Sequence, residues 1–284
     1  MARVAEVLEQ LADPGCAPLL MGVLNVTPDS FSDGGRFATV EDALEHGHRM
    51  LEEGALILDV GGESSRPGSQ AVADDVQFAR TLPIIEALRA RLGWHFAISI
   101  DTRSVKVADA ALTAGATVVN DISAAGDSSM LALVAARKAA IVLMHMQGTP
   151  ATMQIDPHYA DVSAEVEAFL EQRASAALRA GVLRERIVLD PGIGFGKTRA
   201  HNLQLLRDLP RFVATGFPVM LGTSRKRFMG AICRETMPHE LIGATCATTA
   251  LGTVSGIRVF RVHDVRQNRQ AMEVAWATQR EIAG

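Results

Sequence analysis

Short apolar runs recur along the chain, and longer segments in which apolar residues have helical spacing separate them. A short run of continuous hydrophobicity is typical of a parallel strand that is buried on both faces. Helical spacing is clearest over residues 40–53 and 163–180. The pattern predicts eight strands, over residues 19–24, 55–58, 96–100, 117–119, 141–144, 187–189, 219–221 and 257–260.

Eight strands that alternate with helical segments predict an α/β fold, a single (β/α)8 TIM barrel. A doubly wound open sheet is the alternative. The polar residues decide between the two, because a barrel gathers all its strand ends on one face, whereas an open sheet spreads them along a line. Each run ends on a hydrogen-bonding or ionisable residue: Asn25, Asp59, Asp101, Asn120 with Asp121, His145, Asp190, Thr223 with Ser224, and Arg261 followed by His263.

Residues 1–284 are predicted to form one domain, because no low-complexity tract, no further repeat and no Pro-, Gly- or Ser-rich linker divides the chain. Residues 1–16 are predicted to form an N-terminal helical extension. We expect this helix to plug the N-terminal end of the barrel. The apolar residues that recur at helical spacing in it are Val4, Val7, Leu8 and Leu11.

Composition and net charge exclude several classes of protein and of binding partner. With 284 residues, 48% of them hydrophobic and 21% charged, the chain can bury a large core, which excludes an intrinsically disordered protein. A net charge of −4 leaves no basic excess for a phosphate backbone, so we expect no nucleic acid partner. Three cysteines without C-x-x-C spacing favour the reducing cytoplasm over a disulfide framework or a zinc site. We expect no membrane partner, since no apolar stretch reaches membrane-spanning length.

Three strand-end side chains are expected to surround one pocket, namely Asp101, Asn120 and Asp190. Two carboxylates and an amide suit a ligand edge that is rich in N–H donors, such as the 2-aminopyrimidinone edge of a pterin or guanine. Each acid has a structural alternative, as a helix cap or as the partner of a nearby cation. For Asp101, the sequence supports the helix cap and the ligand role equally.

The segment 190–197 contains three glycines around Phe195. We expect these glycines to let the backbone approach a flat ring closely, with Lys197 as an additional donor. His145, which has no neighbouring cation in the sequence, is predicted to be structural.

Other strand ends and loops carry groups that suit an anion and a metal. Arg261 and His263 lie on one side of the last strand, and with Ser224 and a following helix N-terminus they predict an anion site. The loop 59–68 adds glycines, hydroxyls and the guanidinium of Arg66. The amide oxygen of Asn25 suits Mg²⁺. The polar loop that follows, through residue 35, is predicted to be either a mobile lid or an ordinary solvated connection.

Eight segments occur in one fixed order along the chain: MGVLNVTPDSFSDGG at 21–35, GGESSRPG at 61–68, SIDT at 99–102, VNDI at 119–122, MHMQGTP at 144–150, DPGIGFGK at 190–197, SRK at 224–226 and RVHDV at 261–265. With this set, the sequence closely resembles the dihydropteroate synthase family of pterin-binding barrels. The resemblance runs from residue 18 to residue 266.

The resemblance implies a transferase of folate biosynthesis that condenses 6-hydroxymethyl-7,8-dihydropterin pyrophosphate with p-aminobenzoate. The products are 7,8-dihydropteroate and pyrophosphate, and Mg²⁺ assists. The resemblance further implies a dissociative, SN1-like step, a sulfonamide target, and a homodimer formed through the outer helices near the C-terminus. It also implies that the first two loops close over the site once pyrophosphate is bound.

The same resemblance implies a role for each matching residue. The catalytic residues are Asp101, Lys226, Arg261 and His263. The pterin-binding residues are Asp101, Asn120, Ile122, Met144, Asp190, Phe195, Gly222 and Lys226. Those that bind pyrophosphate are Asn25, Arg66, Arg261 and His263, and Asn25 is also the metal ligand. Those that bind p-aminobenzoate are Ser65, Arg66, Pro67, Phe195, Ser224 and Lys226.

Two other functions share such a pocket. A methyltetrahydrofolate-binding methyltransferase barrel has a corrinoid partner instead of pyrophosphate, and the cations at Arg66, Lys226, Arg261 and His263 argue against it. A catalytically silent pterin-binding paralogue has no need of Asn25, Arg66 and Lys226, all of which are present. Ser65 departs from the threonine usual in the family, which keeps the hydroxyl but loosens packing.

Overall fold

The computed structural model describes residues 2–26 and 40–282. Within them, eight strands alternate with helices. The strands are β1 (Leu19–Asn25), β2 (Ile57–Gly61), β3 (Ala97–Asp101), β4 (Val118–Asp121), β5 (Ala140–Met144), β6 (Ile187–Asp190), β7 (Met220–Leu221) and β8 (Val259–Val262).

The α-helices of the described part of the chain begin with one that precedes β1, and the last follows β8. They are α1 (Ala2–Ala12), α2 (Val40–Glu52), α3 (Asp74–Leu92), α4 (Val105–Ala114), α5 (Ser129–Arg137), α6 (Val162–Arg179), α7 (Arg199–Arg207), α8 (Leu209–Val213), α9 (Arg227–Cys233), α10 (Ile242–Val254) and α11 (Val265–Ile282).

All strand pairs are parallel, in the order β6-β5-β4-β3-β2-β1-β8-β7. A further parallel bridge between Leu189 and Val219 joins β6 to the segment that enters β7. The two edges of the sheet therefore meet, and the predicted (β/α)8 barrel is confirmed over the open sheet. The two helices expected over 40–53 and 163–180 are present as α2 and α6.

Several strands run further toward the C-terminus than the apolar pattern predicts, because a polar residue is accommodated inside the barrel when a partner satisfies it. The largest consequence concerns Asp59, which the apolar run places at a strand end. In the structure β2 continues through Val60 to Gly61, so Asp59 is the middle residue of the strand and is fully buried. Its carboxylate therefore lies below the mouth of the barrel.

The interior of the barrel is apolar toward the N-terminal ends of the strands, which we call its lower end. Helix α1 covers this end. The buried side chains of α1 form one cluster with inward-facing residues of the strands, among them Ile57, Val118 and Val188. Arg258 fastens the end of the helix, since its guanidinium donates to the carbonyl oxygens of Gln10 at 2.7 Å and Cys16 at 2.6 Å. Apolar contact and these charge-assisted hydrogen bonds together close the lower end of the barrel.

In the described segments, no helix is long and apolar enough to span a membrane. The loop that follows Asn25, through residue 35, is the one predicted to be either a mobile lid or a solvated connection, and from residue 27 onward it lies outside the described part of the chain.

Candidate active site

The mouth of the barrel is built on one row of register partners. Asn25, Gly61, Asp101 and Asn120 lie side by side across β1 to β4. Register partners in a sheet point to the same face, so the three side chains of this row share the barrel interior. A Cβ atom on Gly61 would touch both the amide oxygen of Asn25 and Cβ of Asp101, at 3.4 Å each. The glycine therefore leaves room between these two polar groups.

Arg261 joins two carboxylates on neighbouring strands. Its Nε donates to Oδ2 of Asp59 at 2.6 Å, and its Nη2 donates to Oδ2 of Asp101 at 2.8 Å. The two ion pairs outweigh the burial of the guanidinium, and the pKa of Arg261 lies above its usual value. The sequence suggested that Arg261 is a free cation available to an anion. In the structure two carboxylates already pair with it. Its remaining N–H groups are the ones left for a ligand.

Asp101 does not cap the helix that follows it, so that alternative is wrong. The N-cap of α4 is Ser104, whose Oγ accepts a hydrogen bond from Val107 N at 3.3 Å. Asp101 instead faces the site, where burial raises the pKa of its carboxyl from 3.8 to about 7. Arg261 opposes that rise, and the negative charge of Asp59 adds to it.

The buried carboxylate of Asp59 also orients Asn120. Its Nδ2 donates to Oδ2 of Asp59 at 3.1 Å, so its amide oxygen must point the other way. That oxygen is buried and has no hydrogen-bond partner among the described residues. A buried acceptor without a partner costs free energy, so Asn120 is prepared to accept a hydrogen bond from a ligand N–H.

Asp190 presents a second acceptor to the pocket. One of its oxygens, Oδ1, accepts a hydrogen bond from the backbone N–H of Gly192 at 2.7 Å. The other, Oδ2, lies 4.0 Å from the position that a Cβ on Gly222 would occupy, so the glycine keeps the space beside this oxygen open. Burial raises the pKa of Asp190, and the nearby ammonium of Lys226 works against that rise.

Lys226 lies across this part of the pocket. Its ammonium donates to the carbonyl oxygen of Ile193 and stands 4.5 Å from the centre of the Phe195 ring. Burial lowers the pKa of Lys226 to about 8, although Asp190 favours the charged form. The lysine therefore remains mostly protonated at neutral pH and can donate to a ligand carbonyl or ring nitrogen. The half-buried ring of Phe195 forms one wall of the pocket.

Two glycines of segment 190–197 are required by contacts within the protein, and the close approach to a flat ring stays a prediction. Gly192 has φ +66°, and a Cβ there would lie 1.9 Å from the carbonyl oxygen of His145. Gly196 has φ +59°, and a Cβ there would lie 2.5 Å from the carbonyl oxygen of Gln147. The glycines let this loop pack against the loop after β5, which fixes the position of Phe195.

Lys197 is not a donor to the ligand. Its ammonium is 3% exposed and donates to the carbonyl oxygens of Gly192 and Phe195, both at 2.9 Å. It also lies 3.0 Å from Nδ1 of His145. Burial lowers the pKa of His145 to about 3, with Lys197 as the next largest cause, so this imidazole is neutral. The pair holds two loops together, which agrees with the structural role predicted for His145.

We expect Lys197→Met to lower the free energy of unfolding by about 2 kcal/mol, because it leaves buried carbonyl oxygens without a donor. Chemical denaturation measures this change. Lys106→Met, at an exposed position on α4, is the matched control and should leave the free energy of unfolding within about 0.5 kcal/mol of wild type. Unchanged stability together with weaker pterin binding would instead identify Lys197 as a ligand donor.

His263 and Ser224 meet at the end of β8. Nδ1 of His263 lies 3.0 Å from Ser224 Oγ, which also accepts from the backbone N–H of His263 at 3.2 Å. Burial, followed by the charges of Arg225 and Arg261, lowers the pKa of His263 to about 3. His263 is therefore a neutral hydrogen-bonding group and not one of four cations, because burial disfavours its charged form and three guanidinium groups add to that effect.

The three consecutive basic residues 225–227 have different roles. Arg225 forms a bidentate pair with Asp264, at 3.0 and 2.7 Å, and so fastens the turn to the start of α11. Lys226 enters the pocket, and Arg227 is exposed at the start of α9. Only the middle residue of the run belongs to the site.

The loop after β2, which contains residues 62–68, lies at the rim of the barrel mouth. Arg66 and Pro67 are exposed and Ser65 is half-buried. Gly68 N donates to the carbonyl oxygen of Pro150 at 2.9 Å, so this loop rests on the loop after β5. The charge of Arg66 is close enough to contribute to the lowered pKa of His263. Met144 and Ile122 are buried, 3% and 7% exposed, in the floor below the loops.

Asp59 is the site residue whose importance the sequence did not reveal. The sequence does contain a signal, since a carboxylate stands between the inward-facing Ile57 and Gly61 of one strand. A charged residue at such a position needs a partner. What the sequence does not provide is the identity of that partner, which lies 202 residues away.

The site thus consists of acceptors facing one pocket, a lysine beside an aromatic wall, and guanidinium and hydroxyl groups at the rim. Comparisons with known proteins agree with this chemistry. The family of pterin binding enzymes matches residues 21–263. A dihydropteroate synthase from Synechocystis is 45% identical over 268 residues, which cover 94% of this chain and 92% of the relative.

Solved structures are similar over the same length. The dihydropteroate synthase of Yersinia pestis, in a sulfonamide drug complex, superimposes with a TM-score of 0.88 and 37% identity, covering 94% of this chain and 96% of that one. The Xanthomonas albilineans dihydropteroate synthase in complex with 7,8-dihydropteroate has a TM-score of 0.83 and 41% identity, covering 93% of this chain and 94% of that one. These relatives favour the synthase over the methyltransferase barrel. The chain belongs to the pterin-binding enzymes and, among them, to the dihydropteroate synthase family of transferases.

Proposed function

We propose that this chain condenses 6-hydroxymethyl-7,8-dihydropterin pyrophosphate with p-aminobenzoate, using the residues of the barrel mouth. The observation that carries the proposal is the pair of oriented acceptors in one pocket. Asp190 has one carboxylate oxygen engaged by Gly192 N and the other beside open space, and Asn120 has a buried oxygen without a partner among the described residues. A pterin edge, with an amino group and a ring N–H, supplies matching donors.

The bond between the methylene carbon and the pyrophosphate oxygen breaks first, because the electron-rich dihydropterin spreads the resulting positive charge over its ring. The carboxylate of Asp101, held by Arg261, stabilises that cation electrostatically. The amine nitrogen of p-aminobenzoate then forms a bond to the methylene carbon and releases one proton to solvent. Lys226 donates to the pterin oxo group and to N5, which orients the ring.

Pyrophosphate is held at the rim by Arg66, by the remaining N–H groups of Arg261, and by the neutral side chain of His263. The start of α11, directly after this cluster, adds the favourable end of a helix dipole. Ser65, Pro67 and Ser224 frame p-aminobenzoate between this rim and the ring of Phe195. Gly222, Met144 and Ile122 give the pterin its flat, mostly apolar surroundings.

The residues present fit a Mg²⁺ ion that arrives with the substrate. Within residues 2–26 and 40–282, no three His, Cys, Asp or Glu side chains form a metal-binding group. Asn25 offers one uncharged oxygen next to the space that Gly61 leaves. Mg²⁺ commonly takes few protein oxygens together with substrate phosphates and waters. When bound, it supplies positive charge to the departing pyrophosphate.

The test is to incubate the protein with both substrates and Mg²⁺ and to measure pyrophosphate release together with the pterin product. We expect release that depends on p-aminobenzoate and equals dihydropteroate formation mole for mole. Parallel reactions without the amine serve as the control. No release would favour a silent paralogue, and release without amine dependence would indicate a pyrophosphohydrolase.

We also propose that the chain forms a homodimer through α10 and α11, with a second copy as the occupant of their outer face. Three large apolar side chains are exposed there, Leu251 at 60%, Val254 at 55% and Val274 at 67%. They flank a groove between the two helices whose lining is largely apolar and includes Ile242, Ala250 and Ala271. A contiguous exposed apolar surface of this kind is typical of a protein interface.

Val274→Asp should convert the dimer to a monomer at micromolar concentration, because it buries an unpaired charge in the interface. Size-exclusion chromatography with light scattering measures the mass. Leu203→Asp, at a 43% exposed position on α7, is the control and should leave the dimer intact. A wild-type chain that is monomeric under these conditions would refute the proposal.

We propose the cytoplasm as the compartment, on the basis of the thiols. Cys16, Cys233 and Cys246 are all free, and Cys233 is exposed. Exposed free thiols persist in a reducing environment, so we place the enzyme in the cytoplasm.

A further inference from the structure

Asp59 lies beneath the groups to which the mechanism assigns a role, and it joins two of them. Its side chain is fully buried, in the middle of β2. A single oxygen, Oδ2, accepts hydrogen bonds from Nε of Arg261 at 2.6 Å and from Nδ2 of Asn120 at 3.1 Å. One buried carboxylate therefore contacts side chains from two other strands, β8 and β4.

The chemistry of these contacts determines two orientations. A carboxylate only accepts hydrogen bonds, so Asn120 must turn its amino group toward Asp59 and its oxygen away from it. Arg261 uses Nε for Asp59 and Nη2 for Asp101, and because a guanidinium is planar, two fixed donors define its plane. A side chain without an acceptor at position 59 would leave both groups free to turn.

We propose that Asp59 is a positioning residue of the synthase reaction, which orients Asn120 as an acceptor for the pterin and holds Arg261 against Asp101. The inference rests on the proposed function, since it concerns the same pocket. Asp59 itself does not need to touch the substrate. Its contribution is to keep the acceptor and the guanidinium in place before the substrate arrives.

The position of Asp59 also affects the titration of Asp101. The charged groups that face Asp101 are Arg261 on β8, Asp59 on β2, Glu63 in the loop after β2, and Asp121 on β4. Arg261 lowers the pKa of Asp101 by more than Asp59 raises it. When Asp59 is removed and Arg261 turns away from Asp101, the carboxylate loses the stronger of the two influences, so its pKa should rise. If Arg261 kept its place without Asp59, only a like charge would be lost and the pKa would fall.

The experiment compares Asp59→Leu, which keeps the shape of the side chain but has no acceptor, with wild type in steady-state kinetics across pH. We expect kcat/KM for the dihydropterin substrate to fall by about 100-fold, because misplacement of binding groups has effects of that order. We also expect the acidic limb of the kcat profile to move to higher pH, since Arg261 no longer stays on Asp101. Ser99→Ala is the matched control, since Ser99 is the register partner of Asp59 on β3 and is equally buried. It should leave kcat/KM within about 3-fold of wild type and the acidic limb where it is.

Two results would overturn the inference. One is an Asp59→Leu enzyme with wild-type kcat/KM. The other is a loss of activity with an acidic limb that stays in place or moves to lower pH, because Arg261 then keeps its contact with Asp101 without Asp59. If Asp59→Leu does not fold, Asp59→Ala removes the same charge and acceptor without adding volume and provides the same readouts. Wild-type protein without amine-dependent pyrophosphate release would contradict the proposed function itself, a different outcome from active wild type with an unaffected variant.

Discussion

Asp190→Asn is expected to lower kcat/KM for the dihydropterin substrate by about 10³-fold, which corresponds to about 4 kcal/mol of lost binding in the transition state. The backbone N–H of Gly192 donates to Oδ1 of Asp190 at 2.7 Å. In the variant, this N–H keeps the amide oxygen on its side, so the amino group turns toward the pocket. A donor then faces a donor of the pterin edge, and a charge-assisted hydrogen bond is replaced by repulsion.

Fluorescence titration with a pterin and steady-state kinetics measure this change. Asp121→Asn is the matched control, because the carboxylate of Asp121 accepts from Ser123 N at 2.7 Å and from Ala125 N at 3.1 Å, within its own loop. The control should lower the melting temperature and change pterin affinity by less than about 3-fold. If Asp190→Asn bound pterin as well as wild type does, Asp190 would not be the group that recognises the ligand edge.

The second large effect is expected for Asp101→Asn, which should lower kcat at saturating substrate by about 10²- to 10³-fold. The neutral amide cannot stabilise a cation on the dihydropterin methylene carbon as a carboxylate does. It retains an oxygen that can accept from Nη2 of Arg261, so the network of the site keeps its geometry. The loss should therefore appear in kcat more than in the melting temperature.

The same side chain predicts a pH dependence. Burial raises the pKa of Asp101 from 3.8 to about 7, so the carboxyl takes up a proton as the pH falls through about 7. Because the proposed role needs the anion, wild-type kcat should decrease toward acidic pH around that value. In Asp101→Asn this limb should vanish and leave a low, flatter profile. A variant with near wild-type kcat, or one that keeps the same acidic limb, would show that Asp101 does not stabilise the cation.

The fold and the place of the site were predictable from local pattern. Apolar runs and helical spacing are properties of neighbouring residues, and they predicted the barrel that the structure contains. The N-terminal helix was predictable for the same reason. Parallel strands then bring their carboxyl ends together whatever their loops do, so Asp101, Asn120 and Asp190 were expected near one another.

The partners of the buried charges were not predictable in this way. Asp101 had two supported roles, and only the position of Ser104 as the cap of α4 decided between them. Lys197 stood among residues that line the pocket, yet its ammonium turns into the loop after β5. His263 looked like a cation beside an arginine, and burial among guanidinium groups makes it neutral. For Lys197 and His263, the deciding partners lie far away in the sequence, namely His145 for the first, and Arg225 and Arg66 for the second.

What the sequence by itself determined is the architecture and the kind of chemistry at the mouth of the barrel. Periodicity decides which face of an element is buried, and composition decides which donors and acceptors are available. Only the tertiary structure decided how those groups pair, because hydrogen bonds and pKa values depend on distance and burial and not on order along the chain. Asp59 is the clearest case, since its place in the middle of β2 and its contact with Arg261 exist only once the barrel has closed.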